Sequence, residues 1–285
     1  MRNNILTSVL DVGSLTNPGK IRKNNEDSIL VLPQYGCFAV ADGMGGGEAG
    51  EIASKMVVDA INDKLKKESY LPAARERAVI RASYGCNLAI NDYCNEHLYE
   101  SMGSTLACLL FDPWDPEFAT VFHAGDSRVY LWRERKLQCL TTDHTLAESA
   151  ELPEYELNKA YQGVLTNVIG IASDFYLERL SCNVKQDDVF LICSDGLTRM
   201  VSDEGISHIL RQCDRNVGST FVTQLLLAEA LNNGGHDNVS VILVKVSKQG
   251  QPYEPLDMEL QEEMYIQEQN IDDLSDTLPT GESIG

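Results

Sequence analysis

The chain has 285 residues, 43% hydrophobic and 23% charged, enough apolar material to bury a core as one large domain or two small ones. Its formal net charge of −20 argues against nucleic acid or an anionic membrane surface as partner. No apolar run approaches the ~18 residues of a membrane span and no secretory h-region opens the chain; the eight cysteines form no CxxC pair and read as small buried hydrophobes of a reducing compartment, so a cytoplasmic location is expected.

In chain order, residues 5–13 read as a first strand and 13–19 as turn chemistry. In residues 21–28 the cation Arg22 is followed by two adjacent acids, Glu26 and Asp27. A solvated turn accounts for that run without any function. An extended stretch would instead point Arg22 and Glu26 the same way about 13 Å apart, a metal ligand and an anion-binding guanidinium at two ends of one site. The apolar run 36–41 is a short buried strand that ends on Asp42, and Gly43, Gly45, Gly46 and Gly47 follow. Asp42 is thus expected at a strand tip facing a turn. It either caps that turn or, beside bare backbone carbonyls, binds a hard cation such as Mg²⁺ or Mn²⁺.

Apolar spacing predicts amphipathic helices over about 48–68 and 72–98, each covering one face of a sheet. Strands are expected at 106–111, 118–123, 129–133 and 136–140, with a Gly125-Asp126 hairpin tip between the second and third of these. Residues 143–164 lack a clear period and read as a surface flap with some helix. The run 188–193 is a second apolar strand ending in Asp-Gly, at Asp195-Gly196. Helices at about 203–213 and 218–232 follow, then a loop holding Asp237-Asn238 and a buried strand at 239–246. This order suggests an α/β protein with sheets inside and helices outside. From about 250 the pattern dissolves: residues 250–285 carry ten acids and no Lys or Arg, half the net charge of the chain. We read them as a solvated acidic appendage, disordered from 270 onward, next to a catalytic domain of residues 1–249.

Asp42, Asp126, Asp195, Asp237 and the Glu26-Asp27 pair each carry a weak signal alone. Meeting at sheet ends, such acids would repel one another unless divalent cations lay between them, and an all-oxygen set suits Mg²⁺ or Mn²⁺ over Zn²⁺. The five histidines form no zinc motif. Cys193-x5-Arg199 fits the spacing of cysteine-dependent phosphatases, but Asp195 would then repel the substrate dianion, and the thiol would stay protonated in an apolar strand.

Together, Arg22-x-x-x-Glu26-Asp27, Ala41-Asp42-Gly43-Met44-Gly45-Gly46, Gly103-Ser104-Thr105, Gly125-Asp126-Ser127-Arg128, Leu165-Thr166-x-x-Ile169-Gly170, Cys193-Ser194-Asp195-Gly196-Leu197 and Asp237-Asn238 occur in the order of one family. The chain resembles the metal-dependent protein Ser/Thr phosphatases of type 2C, in their compact bacterial branch, over about residues 5–247.

The resemblance implies an α+β fold, a four-layer αββα sandwich of two antiparallel sheets flanked by helices, with two or three Mn²⁺ or Mg²⁺ ions in a cleft. Carried over, Asp42 bridges two metals and the Gly43 carbonyl ligates one. Asp195 and Asp237 hold the first metal, Glu26 or Asp27 supports the second, and Asp126 with Asp195 holds a labile third. Arg22 binds the substrate phosphate, and a metal-activated water attacks phosphorus in line. Met44 stands where many eukaryotic members carry a proton-donating His, which leaves the leaving-group acid open. The implied partners are phosphorylated proteins, including a Ser/Thr kinase or its substrates, met by a monomer. The alternative is a pseudophosphatase that binds phosphoproteins without turnover, a reading opposed by the complete set of acids.

Overall fold

The structure is a computed structural model, and it describes residues 9–45, 49–68, 71–112, 117–171, 174–215 and 217–247. The acidic segment from 250 onward and the glycines at 46 and 47 lie outside the described residues.

Among the described residues, eleven strands form two antiparallel sheets. The first sheet contains β1 (Leu10–Asn17), β11 (Val239–Val246), β10 (Val189–Cys193), β7 (Arg128–Arg133) and β8 (Lys136–Cys139), in that order. The second runs β2 (Asp27–Leu32), β3 (Cys37–Gly45), β5 (Leu106–Phe111), β6 (Phe118–Ala124) and β9 (Glu178–Asn183), with β4 (Met102–Ser104) paired to the end of β3. Helices α1 (Ala49–Lys67) and α2 (Pro72–Glu96) cover the second sheet. The short α3 (Leu146–Ser149) lies in the 143–164 excursion, while α4 (Asp195–Thr198), α5 (Asp203–Leu210) and α6 (Ser219–Asn232) belong with the first sheet.

Side-chain alternation explains the layering. In β10, Val189, Leu191 and Cys193 pack toward α5 and α6, whereas Phe190 and Ile192 point at the facing sheet. In β3, Cys37, Ala39 and Ala41 meet α1, and Phe38 and Val40 point inward. Strands buried on both faces read as unbroken apolar runs whatever their direction, so a pattern that suggested α/β belongs here to antiparallel sheets and an α+β fold. Phe111 joins the inner layer edge-on to Phe38 at 6.1 Å and to Phe190 at 5.6 Å. Truncating such a ring to Ala typically costs about 3–5 kcal/mol.

Two local expectations are corrected and one open alternative is decided. Residues 5–8 of the expected first strand lie outside the described residues; the first described strand starts at Leu10 and runs through Asn17, absorbing part of the expected turn. Gly13 is there for packing: a Cβ would stand 2.3 Å from the Ser219 carbonyl oxygen, where α6 crosses β1. Residues 21–26 are not an extended stretch, since β2 begins only at Asp27. Asp42 is not at a strand tip either, because pairing with β4 carries β3 on to Gly45. β9, with a mostly exposed polar pattern, is an edge strand without the apolar run that would announce it. Among the described residues, no helix is long and apolar enough to cross a membrane.

Candidate metal centre

The antiparallel pairings bring the acids to one end of the sandwich. Asp27 and Asp42 face each other in the β2–β3 register. Asp195 lies two residues past the end of β10, whose last residue Cys193 pairs with Val241 in β11, and Asp237 lies two residues before β11 begins. Asp126 follows β6, whose end pairs with the start of β5, and the neighbouring Thr105 donates its backbone N–H to the Asp42 carbonyl at 2.9 Å.

Arg22, Glu26, Asp42, Gly43, Asp126, Asp195 and Asp237 all line one cavity of about 240 Å³, together with Met44, Thr105, Asn238 and Arg199. Asp27 does not line it. It is buried, accepts a hydrogen bond from Ser194 Oγ at 2.8 Å, and leaves Oδ1 without a partner. Of the two adjacent acids, Glu26 therefore faces the cavity and Asp27 sits behind the carboxylates that line it.

Backbone geometry sets these positions. The Gly43 N–H donates to the Glu26 carbonyl at 3.0 Å, and a Cβ on Gly43 would stand 1.9 Å from the Gly50 carbonyl oxygen, so the first turn of α1 lies directly against it. Gly196 is constrained in the same way, its Cβ position lying 1.9 Å from the Asn238 carbonyl oxygen. One side chain ties the loop carrying Arg22 and Glu26 at three points. Asn238 accepts from the Glu26 N–H at 2.8 Å and donates to the carbonyls of Pro18 and Asn24 at 3.0 and 2.9 Å. Three bonds to segments some 210–220 residues away in sequence carry no local signal, so Asn238 reads from sequence only as the companion of Asp237.

Electrostatically the cavity is unsatisfied. Burial, followed by the charges of Asp27, Asp195, Asp126 and Asp237, raises Asp42 well above the ordinary carboxylate range. Burial and the neighbouring acids push Asp27 and Asp126 to about 7, against hydrogen bonds on the first and the Arg199 charge on the second. Burial raises Asp195 as well, opposed by Arg199. Asp195 Oδ1 is buried without a hydrogen-bond partner. Clustered oxygen donors with raised proton affinity and unpartnered lone pairs fit a hard divalent cation. Two arginines edge the set: Arg22 reaches Asp237 Oδ2 at 2.9 Å, and Arg199 Nε reaches Asp195 Oδ2 at 2.8 Å. In sequence Arg199 figured only in the cysteine reading, which burial of Cys193 removes by pushing its thiol well up.

The fold also gathers two of the dispersed histidines. One ligand atom from each of His123, His144 and Glu178 lies within 4.8 Å of the others, so by distance they could surround an ion. The hydrogen bonds argue against it. His144 Nδ1 accepts from the Gly125 N–H at 3.2 Å and from Asn167 Nδ2 at 3.0 Å, and Asn167 is held in that orientation by the Tyr176 backbone. The proton of the neutral ring is therefore on Nε2, the atom facing Glu178 at 3.7 Å, and no lone pair points into the cluster from His144.

A carboxylate-lined cavity with a guanidinium at its edge is the equipment of a divalent-cation-dependent phosphoryl hydrolase. Comparison with known proteins agrees. Residues 21–232 match the family model described as protein phosphatase 2C, and the chain belongs to that family. It is 30% identical over 244 residues to the serine/threonine phosphatase stp of Listeria monocytogenes, covering 81% of this chain and 93% of that one. The serine/threonine protein phosphatase PstP of Mycobacterium tuberculosis is 32% identical over 248 residues, 85% of this chain and 46% of its own. Among solved structures, the Streptococcus agalactiae serine/threonine phosphatase superposes with a TM-score of 0.76 at 27% identity, covering 84% of this chain and all of that one. The PstP catalytic domain in complex with two manganese ions gives 0.71 at 31%, covering 84% and 99%.

Proposed function

We propose that this chain is a metal-dependent phosphoprotein phosphatase that hydrolyses phosphoserine and phosphothreonine, with its activity in residues 1–249 and the acidic segment 250–285 outside the catalytic unit. The observation that carries the reading is the cavity itself, in which acids raised by burial and then by one another's charges stand beside Arg22. Its cofactor is Mn²⁺ or Mg²⁺, and a bound divalent cation supplies Lewis-acid polarisation of the phosphoryl oxygens and an acidified water.

The side chains divide the remaining work. Asp42, Asp195 and Asp237, with Glu26 and the Gly43 carbonyl, supply the oxygen donors, and Asp126 lines the cavity beside them. Asp27 lies behind them and hydrogen-bonds to Ser194. Arg22, half exposed at the rim, binds the phosphate monoester through charge-assisted hydrogen bonds, and Asp237 and the Asn238 clamp aim it. Met44 lines the cavity and cannot donate a proton, so no side chain at that position protonates the leaving alcohol. The binding-only alternative has no observation in its favour, since every acid of the set is present.

The partners we infer are phosphoproteins, among them a Ser/Thr kinase or its substrates, met by a monomer in the cytoplasm. The test is hydrolysis of an aryl phosphate and of a phosphothreonine peptide by the full chain with Mn²⁺, with Mg²⁺ and with EDTA. Turnover should require the metal and survive Cys193→Ser. Turnover in EDTA that iodoacetamide abolishes would overturn the reading.

A further inference from the structure

Asp195 opens the single turn of α4, and Arg199 comes four residues later on the same side of the chain. Its side chain folds back over the carboxylates. Nε donates to Asp195 Oδ2 at 2.8 Å, and the terminal nitrogen Nη2 lies 3.8 Å from Asp126 Oδ2. Asp195 is thereby divided between two surroundings: Oδ2 meets the guanidinium, while Oδ1 is buried without a partner. Arg199 also forms part of the wall between the acid cavity and a neighbouring cavity of about 440 Å³ under the 143–164 excursion. On that side the chain leaves room for it. Gly163 takes a φ of +69°, and a Cβ there would stand 3.1 Å from Arg199 Nη2.

We propose that Arg199 is a built-in cation for the Asp126–Asp195 pair, standing where a third divalent ion would bind, so that this chain holds two ions and not three. The proposal rests on the reading of the acid cavity as a divalent-cation site. A guanidinium suits the role because it keeps its charge at all working pH values, is weakly hydrated, and presents donors in a plane that can meet two carboxylates at once. The spacing helps, because an acid four residues before a cation on a helical turn is the favourable order. A divalent ion bound between Asp126 and Asp195 would have to displace the guanidinium or sit against its positive charge.

The experiment is equilibrium dialysis of the full chain against Mn²⁺, with bound metal read by atomic absorption and free metal by electron paramagnetic resonance. Wild type should saturate at two Mn²⁺ per chain. Arg199→Ala should saturate at three, Arg199→Lys should return to two, and Arg199→Ala combined with Asp126→Asn should also return to two. Circular dichroism monitors folding, and Arg199→Gln serves in place of the Ala variant should that one unfold. Three ions in wild type, or two in the folded Ala or Gln variant, would overturn the proposal. So would a third ion that persists in the double variant. A change in KM with unaltered stoichiometry would likewise overturn it and make Arg199 a phosphate-binding residue. Wild type that binds no Mn²⁺ would instead sink the reading of the cavity on which the proposal stands.

Discussion

Two clusters of ionisable side chains adjoin each other at one end of this molecule, linked through Gly125, and they behave in opposite ways. In the acid cavity, carboxylates are raised by burial and by one another, and a buried oxygen of Asp195 has no partner. In the His123–His144–Glu178 cluster Glu178 accepts from His123 Nδ1 at 3.3 Å and His144 Nδ1 is taken by Gly125 and Asn167, which leaves His123 Nε2 as its one buried nitrogen without a partner. Burial and the nearby His123 lower His144 to about 4, which keeps it neutral. The two groups look alike by distance and differ in charge: the first gathers several buried carboxylates that repel one another, the second a single carboxylate that already accepts from His123. Unmet electrostatic demand is what marks the first as a cation site.

The largest expected effect breaks that demand directly. Asp42→Asn and Asp195→Asn should each lower turnover by more than the ~10–100-fold typical of losing a group behind the metal ligands. Each should also raise the melting temperature of the metal-free chain, because one repelling charge is gone. A variant that loses turnover while its metal-free form melts lower would show that the carboxylate supports the fold and not a cation.

The second expectation is a pH dependence. Asp27 and Asp126 stand at about 7 in the fold against an ordinary value of 3.8. Between those values the folded chain binds more protons than the unfolded one, so these groups destabilise the metal-free protein progressively as pH rises from 3.8 toward about 7. In EDTA the melting temperature should therefore be higher at about pH 5.5 than at about pH 7.5, by more than the ~2–4 °C that 1 kcal/mol makes for a chain of this size. Saturating Mn²⁺ should shrink or reverse the difference, and Asp126→Asn should reduce it. Equal melting temperatures at the two pH values in EDTA would mean that the acids are already satisfied without metal.

The smallest effects belong to the second cluster. His144→Ala removes the acceptor for a buried N–H and should cost about 1–3 kcal/mol in stability. Glu178→Gln should leave the number of bound Zn²⁺ or Mn²⁺ ions unchanged. Loss of an ion in that variant would show that distance was the better guide and the assigned tautomer the wrong one.

Much of this molecule is legible in its residue order. Apolar spacing locates α1, α2, α6 and the buried strands β5, β10 and β11 to within a few residues, because packing against a sheet imposes its own period on the chain. The Asp-Gly pairs name the acids, since a glycine beside the carboxylate admits a close backbone approach, as at Gly43 under Gly50. The tertiary structure alone decided which of Glu26 and Asp27 faces the cavity, because β2 begins between them and turns Asp27 inward. It alone decided that Asn238 clamps the Arg22 loop, that Gly13 yields to α6, and that two dispersed histidines meet and still offer no open site. Arg199 belongs with these: its spacing from Asp195 is visible in the sequence, but the second carboxylate it meets lies 73 residues away. Local patterns record what a residue's immediate neighbours require. Hydrogen bonds, charge neighbours and close backbone approaches are set by segments that only the folded sheets bring together.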